Sequence, residues 1–185
     1  MATTSDLKNG MTIELENAHY TIVEFLHVKP GKGQAFVRTK LKNVRTGAVL
    51  DRTFKVGETI REVELEKRKA EYLYNSGSSY FFMDKETFEQ VSVNEVLVES
   101  AIPFLKENLE VDLLRIGDDL VGIQIPNFVI LKVVETEPGV RGDTVSATNK
   151  PAKLETGATV KVPLFVEGGD LIKIDTRTGG YVERA

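Results

Sequence analysis

Two runs near the start of the chain, Tyr20 to Val28 and Gln34 to Val44, alternate apolar and polar residues. Successive side chains of a strand point to opposite faces, so Val37, Thr39 and Leu41 fall on one side of the second run and Arg38, Lys40 and Lys42 on the other. Segments of this kind, rich in Val, Ile, Thr, Tyr and Phe, recur along most of the sequence between turn signals spaced 8 to 15 residues apart. That is the pattern of small antiparallel barrels, and the chain is read as mainly β. The exception is Asn94 to Leu109, where Val96, Leu97, Ala101, Phe104, Leu105 and Leu109 recur at helical spacing and predict one or two short helices, Pro103 opening the second turn.

Between the two alternating runs lies Lys29-Pro30-Gly31-Lys32-Gly33, a hairpin signal. Pro30 suits the second position of a type II turn and Gly31 the positive φ of its third, which sets Lys32 at or beside the tip. Gly33 removes bulk next to the lysine, so the amine could enter a narrow space. At about 3.3 Å per residue, nine-residue strands could carry that tip roughly 30 Å, part of it inside a barrel.

Charge changes this picture. From Lys29 to Lys55 there are eight basic residues (Lys29, Lys32, Arg38, Lys40, Lys42, Arg45, Arg52 and Lys55) against Asp51 alone, in a chain whose net charge is −4. Such a stretch supports phosphate contacts by counterion release; a solvated strand face with an ordinary hairpin loop would carry the same composition. Boundaries near Glu64 and Asn127 divide the chain into 1–64, 65–127 and 128–185, with net charges of +2, −6 and 0. The second boundary is marked by Ile125-Pro126-Asn127 ahead of the apolar run Phe128 to Leu131. Modules of about 60 residues have thin cores, so packing between neighbours is expected to matter, and three in a row would span on the order of 70 to 80 Å, a shape for a large partner.

Composition then removes several classes. The 185 residues include no Cys, which excludes disulfides and thiolate metal sites and favours a cytoplasmic location. The longest apolar stretches fall far short of the roughly 20 residues that cross a bilayer, and Met1 to Lys8 has no apolar core of a secretory signal. The two histidines, His19 and His27, read as strand residues, and nucleophile-elbow, phosphate-loop and zinc-protease motifs are absent. No cofactor is expected, and nothing suggests a self-complementary apolar surface, so a monomer is expected.

The residues that carry a family resemblance lie at both ends. Val28-Lys29-Pro30-Gly31-Lys32-Gly33 followed by Ala35-Phe36-Val37-Arg38 resembles the modified-lysine loop of the translation elongation factor P family, the bacterial relatives of initiation factor five-A. Lys150-Pro151-Ala152, Gly157, Val160, Val162-Pro163, Val166 and Gly169 resemble that family's C-terminal signature, and Asp175-Thr176, Gly179-Gly180-Tyr181 and Arg184 its close. The resemblance spans the whole chain. It implies an N-terminal SH3-like (KOW-type) barrel and two OB-fold barrels in an L shape, and a non-enzymatic factor that binds the 70S ribosome beside P-site peptidyl-tRNA, between the P and E sites. There it would promote peptide bond formation at consecutive prolines, stimulating the ribosome's own peptidyl transferase by positioning the tRNA CCA end.

Carried over by residue, Lys32 is the tip lysine, a candidate for covalent extension by a modifying enzyme, and Lys29, Pro30, Gly31 and Gly33 shape its loop. Tyr181 and Arg184 match positions near the small subunit and the P-site anticodon stem, where Tyr could stack and Arg pair a phosphate; Tyr181 could equally pack on the last barrel. Gly142, Asp143 and Thr144 resemble the loop that approaches E-site mRNA, whereas Arg38, Lys40 and Lys42 are charge-based candidates for tRNA or ribosomal RNA contacts. Three other readings stand beside this one. A family paralogue would act in another context, and a general OB or SH3-like RNA-binding protein would not depend on one lysine. An enzyme with Lys32 as nucleophile would need a desolvated amine, which a glycine-flanked tip does not offer.

Overall fold

The computed structural model describes residues 2–138 and 149–185. It is built almost entirely of antiparallel strands in three barrel-like sheets. The first contains β1 (Ala2–Thr3), β2 (Thr12–Leu15), β3 (Ala18–Val28), β4 (Phe36–Asn43), β5 (Val49–Lys55) and β6 (Thr59–Val63), in the order β1-β6-β2-β3-β4-β5. Positive φ at both Glu16 and Asn17 makes the two-residue turn from β2 to β3 the kind that matches strand twist. The Asn43 side chain accepts the N–H groups of Arg45 and Thr46 and so closes the turn into β5. Inward residues Ile13, Ile22, Val37, Leu41, Phe54 and Ile60, joined by Leu7, form the core beneath this sheet.

The second sheet has the order β11-β10-β7-β8-β9, with β7 (Glu66–Ser76), β8 (Ser79–Asp84), β9 (Gln90–Asn94), β10 (Glu110–Ile116) and β11 (Asp119–Gln124). Between β9 and β10 lie the two predicted helical pieces, α1 (Glu95–Val98) and a 3-10 turn, Ile102–Phe104. Asn94 caps α1 by accepting the Val96 N–H at 3.0 Å, and Pro103 sits in the first positions of the 3-10 turn. The apolar set differs from the spacing-based one in a single respect. Val98 is buried while Val96 is 60% exposed, so the buried positions run Val98, Ala101, Phe104 and Leu105.

The third sheet runs β14-β13-β12-β15-β16, with β12 (Phe128–Thr136), β13 (Asn149–Leu154), β14 (Thr159–Pro163), β15 (Leu171–Asp175) and β16 (Gly180–Arg184). Its core is Val129, Leu131, Val133, Ala152, Leu154, Val160, Val162, Val166, Ile172 and Ile174, and Phe104 from the 3-10 turn belongs to the same cluster. Two hydrogen bonds accompany that insertion. Thr156 Oγ1 donates to the Pro103 carbonyl and Lys106 Nζ to the Ile130 carbonyl, each at 2.7 Å. The chain divides into two compact units, 1–67 with 114–122, and 68–113 with 123–185. The division passes through the β10–β11 hairpin, and Phe104 and its cluster lie wholly in the second unit.

Among the described residues no helix is long and apolar enough to cross a membrane, and no group of three or more His, Asp or Glu side chains is arranged to hold a metal ion.

Candidate functional site

Strands β3 and β4 pair, with one register shift between Ile22 and Glu24, to their far end, where Val28 faces Phe36, and the seven residues between them form the tip. Every residue from Lys29 to Gln34 is exposed, Lys32 at the centre of a bend. The turn differs from the type II geometry that Pro30-Gly31 suggests. Positive φ falls on Gly33, at 126°, and not on Gly31. The loop is too long for a two-residue reversal, so the chain curves through Gly31, Lys32 and Gly33 and takes its positive-φ step on the way back. Pro30 folds toward that step, its Cγ 3.6 Å from where a Gly33 side chain would begin. An L residue at 33 would be opposed by the backbone angle more than by lack of space.

The arm that carries Lys32 is fixed at its base. Val37, Leu41 and Ile22 are fully buried, and Thr39 Oγ1 donates to the Arg52 carbonyl at 2.9 Å, tying β4 to β5 from the inside. On the other face Arg38, Lys40 and Lys42 are exposed together. Their surroundings separate them. Lys40 lies opposite Glu24 and Asp51 on the flanking strands and pairs with Glu24 at 3.2 Å. Arg38 faces Leu26 and Thr53, and Lys42 faces Thr21 and Val49, so neither meets a carboxylate across the sheet. The exposed apolar side chains Leu26 and Val49, about 60% exposed each, lie next to those two cations. A surface with free cations and apolar area between them can contact both phosphates and sugars or bases.

In the third sheet, Tyr181 is half-buried and packs against the core cluster, opposite Ile174. Arg184 lies at the end of β16, its guanidinium 3.8 Å from Asp170 and 5.9 Å from the centre of the Phe165 ring. The sequence does not single out Phe165, which lies between the apolar Leu164 and Val166, yet it is 60% exposed. Nothing in the sequence marks Arg177 either. It makes a bidentate pair with Asp175, at 2.9 and 2.6 Å, which holds that carboxyl below the usual carboxylate range. Gly142, Asp143 and Thr144 lie outside the described residues. The Lys32 hairpin and the Arg184 end therefore stand on different sheets, and each is a candidate surface by itself.

Comparison with known proteins bears on the whole length. A family model described as the elongation factor P KOW-like domain matches residues 3–60, one described as the elongation factor P OB domain matches 65–123, and one described as the elongation factor P C-terminal part matches 129–184. The protein named elongation factor P from Moorella thermoacetica is 56% identical over 185 residues, covering all of both chains. That of Desulfitobacterium hafniense, strain DCB-2, is 51% identical, again over the full length of both. Among solved structures, the eukaryotic translation initiation factor 5A from Methanococcus jannaschii aligns with 68% of this chain and 92% of its own at 23% identity, with a TM-score of 0.46.

Proposed function

Since the chain belongs to the elongation factor P family and is thereby a translation factor, we propose that it binds the 70S ribosome beside P-site peptidyl-tRNA, between the P and E sites. There it promotes peptide bond formation at consecutive prolines. Proline is a poor partner in that reaction because its ring restricts both the nascent chain and the attacking amine. Peptide transfer needs near-attack alignment, and an ångström of misplacement costs about a hundredfold in rate. The observation that carries the reading is the position of Lys32: an exposed cation, flanked by Gly31 and Gly33, at the end of a hairpin whose base is locked into a buried core. Such an arm can enter a narrow RNA-lined space and hold the CCA end of the tRNA.

The peptidyl transferase chemistry stays with the ribosome; Lys32 supplies position and charge, with a covalent extension from a modifying enzyme lengthening its reach. Lys29, Pro30, Gly31 and Gly33 shape the tip, and Arg38, Lys40 and Lys42 lie along the arm for tRNA or ribosomal RNA. Tyr181 and Arg184, together with Gly142, Asp143 and Thr144, serve a second RNA surface toward the small subunit and E-site mRNA. In this reading 1–64, 65–127 and 128–185 are three modules, and the factor acts in the cytoplasm as a monomer without a bound cofactor.

The test is translation, in a reconstituted system lacking this factor, of a reporter with three successive prolines and a matched reporter without them. Protein from its native host relieves only the proline stall and Lys32→Ala does not, while intact mass identifies any extension of Lys32. Folded native protein that leaves the stall unchanged would sink the assignment in favour of a general RNA-binding role.

A further inference from the structure

The third sheet exposes two phenylalanines beside cations, and their environments differ. Phe128, 43% exposed, has Lys173 Nζ at 5.2 Å and Arg177 Cζ at 5.4 Å from its ring centre. Both cations are held by carboxylates, Lys173 by Glu183 at 2.9 Å and Arg177 by Asp175 at 2.6 Å, so the ring is roofed by neutralised, locked side chains. That cluster is self-contained.

Phe165 is the opposite case. Its ring is 60% exposed, although the adjacent Val166 is completely buried and anchors the turn that carries both. Val166 N–H donates to the Pro163 carbonyl at 3.1 Å, Gly169 N–H to the Val133 carbonyl at 2.8 Å, and Glu167 N–H to Asp170 Oδ2 at 2.9 Å, which fixes the turn from Pro163 to Asp170. The ring is thus presented outward by a rigid support, and hydrophobic burial within its own sheet does not explain it. The cation over one face of the ring, Arg184, lies 5.9 Å from its centre, is 58% exposed and reaches Asp170 only at 3.8 Å, beyond hydrogen-bonding distance. Asp170 keeps its N–H partner from Glu167 whether or not Arg184 stays.

We infer that Phe165 and Arg184 form a single docking point for one unpaired RNA base and its phosphate, the base stacking on the Phe165 ring and the guanidinium releasing Asp170 to pair with the phosphate. A flat, exposed aromatic accepts any base by its π-face, and a planar guanidinium next to it matches phosphate geometry; the two together fit a nucleotide better than either fits an acidic or apolar peptide. Glu167 and Asp170 on the same turn disfavour a second phosphate there, so the site takes one nucleotide and not a duplex backbone. This inference rests on the ribosomal reading and adds Phe165 to it.

The experiment measures binding of the full-length protein to ribosomes carrying peptidyl-tRNA in the P site, for wild type, Phe165→Ala, Phe165→Leu, Phe165→Tyr and Arg184→Gln, with thermal unfolding of each. Loss of one base stack weakens binding about five- to a hundredfold. That loss is expected for Phe165→Ala and for Phe165→Leu, while Phe165→Tyr stays within about threefold because it keeps the π-face. A photoreactive p-benzoyl-phenylalanine at position 165, irradiated in the same complex, is expected to give a ribonuclease-sensitive crosslink. A crosslink only to ribosomal protein, or Phe165→Leu binding like wild type, overturns the docking point while leaving the ribosomal reading intact. Wild-type protein that does not bind these ribosomes overturns both.

Discussion

Glu24 stands opposite Lys40 across the β3–β4 pair, its carboxylate 3.2 Å from the lysine amine, because β3 carries one extra residue at Val23. Below the bulge Ile22 faces Leu41, and continuing that register would put Val23 against Lys40; above it the pairing shifts by one and Glu24 arrives instead. The three cations of the arm, alike in sequence, are therefore unequal in space.

Arg38→Gln and Lys42→Gln should each weaken ribosome binding and lower the slope of log affinity against log salt by about one phosphate's worth. Lys40→Gln should change the slope less, since its charge is partly spent on Glu24. Binding titrations at several salt concentrations separate the three, and equal slopes for all would contradict this ranking.

Glycines 31 and 33 should respond differently to alanine. Gly33 has a φ of 126°, so Gly33→Ala is expected to strain the tip by about 1–3 kcal/mol and to misdirect Lys32. Gly31 lies outside that region with open space where a side chain would start, and Gly31→Ala should be tolerated. Because the loop is exposed, much of the Gly33 strain can relax locally; the sharper readout is loss of proline-stall relief with little change in Tm.

The Asp84 carboxylate accepts backbone N–H groups from Thr87 and Glu86 in the turn from β8 to β9, and these hold it below the usual carboxylate range. A depressed native value means that the unfolded chain binds the proton more readily. Its stabilisation is therefore complete above the ordinary aspartate value near 4 and is lost as pH falls through and below it. Denaturant midpoints for wild type and Asp84→Asn should differ at neutral pH and converge on acidification. A gap that persists unchanged in acid would assign the effect to something other than the charge.

Phe104 predicts coupled unfolding. Its ring comes from the 3-10 turn between β9 and β10 but is buried among residues of β12, β13 and β15. Phe104→Ala should cost about 3–5 kcal/mol, as truncation of a buried aromatic does. The second and third sheets should melt together in the wild type. Two transitions separated by calorimetry in the wild type would show that the shared cluster does not couple them.

Much of this was legible beforehand. Alternation located the β3–β4 hairpin, and its buried face of Val37, Thr39 and Leu41 lies where period two put it. The helical interruption with Pro103 was also where spacing placed it. Bulges were the main obstacle. Tyr72 and Tyr74 are two apart and should share a face, yet Tyr72 is buried while Tyr74 is 47% exposed and stacks on Phe81 at 4.8 Å, because the register shifts between them. At the Lys32 tip, Pro30-Gly31 suggested a tight turn, but loop length moved the positive φ to Gly33. Phe165 stayed hidden because an apolar residue between Leu164 and buried Val166 carries no local mark of exposure.

The sequence by itself determined the strands, the charged face of the arm and the glycine-flanked lysine at its end, all of which depend on periodicity and on neighbours a few residues away. Only the tertiary structure decided which cations meet carboxylates, which sheet claims Phe104 and which phenylalanine is presented outward. Those outcomes depend on the register between strands and on contacts between distant segments, and one bulged residue is enough to change which side chains face each other.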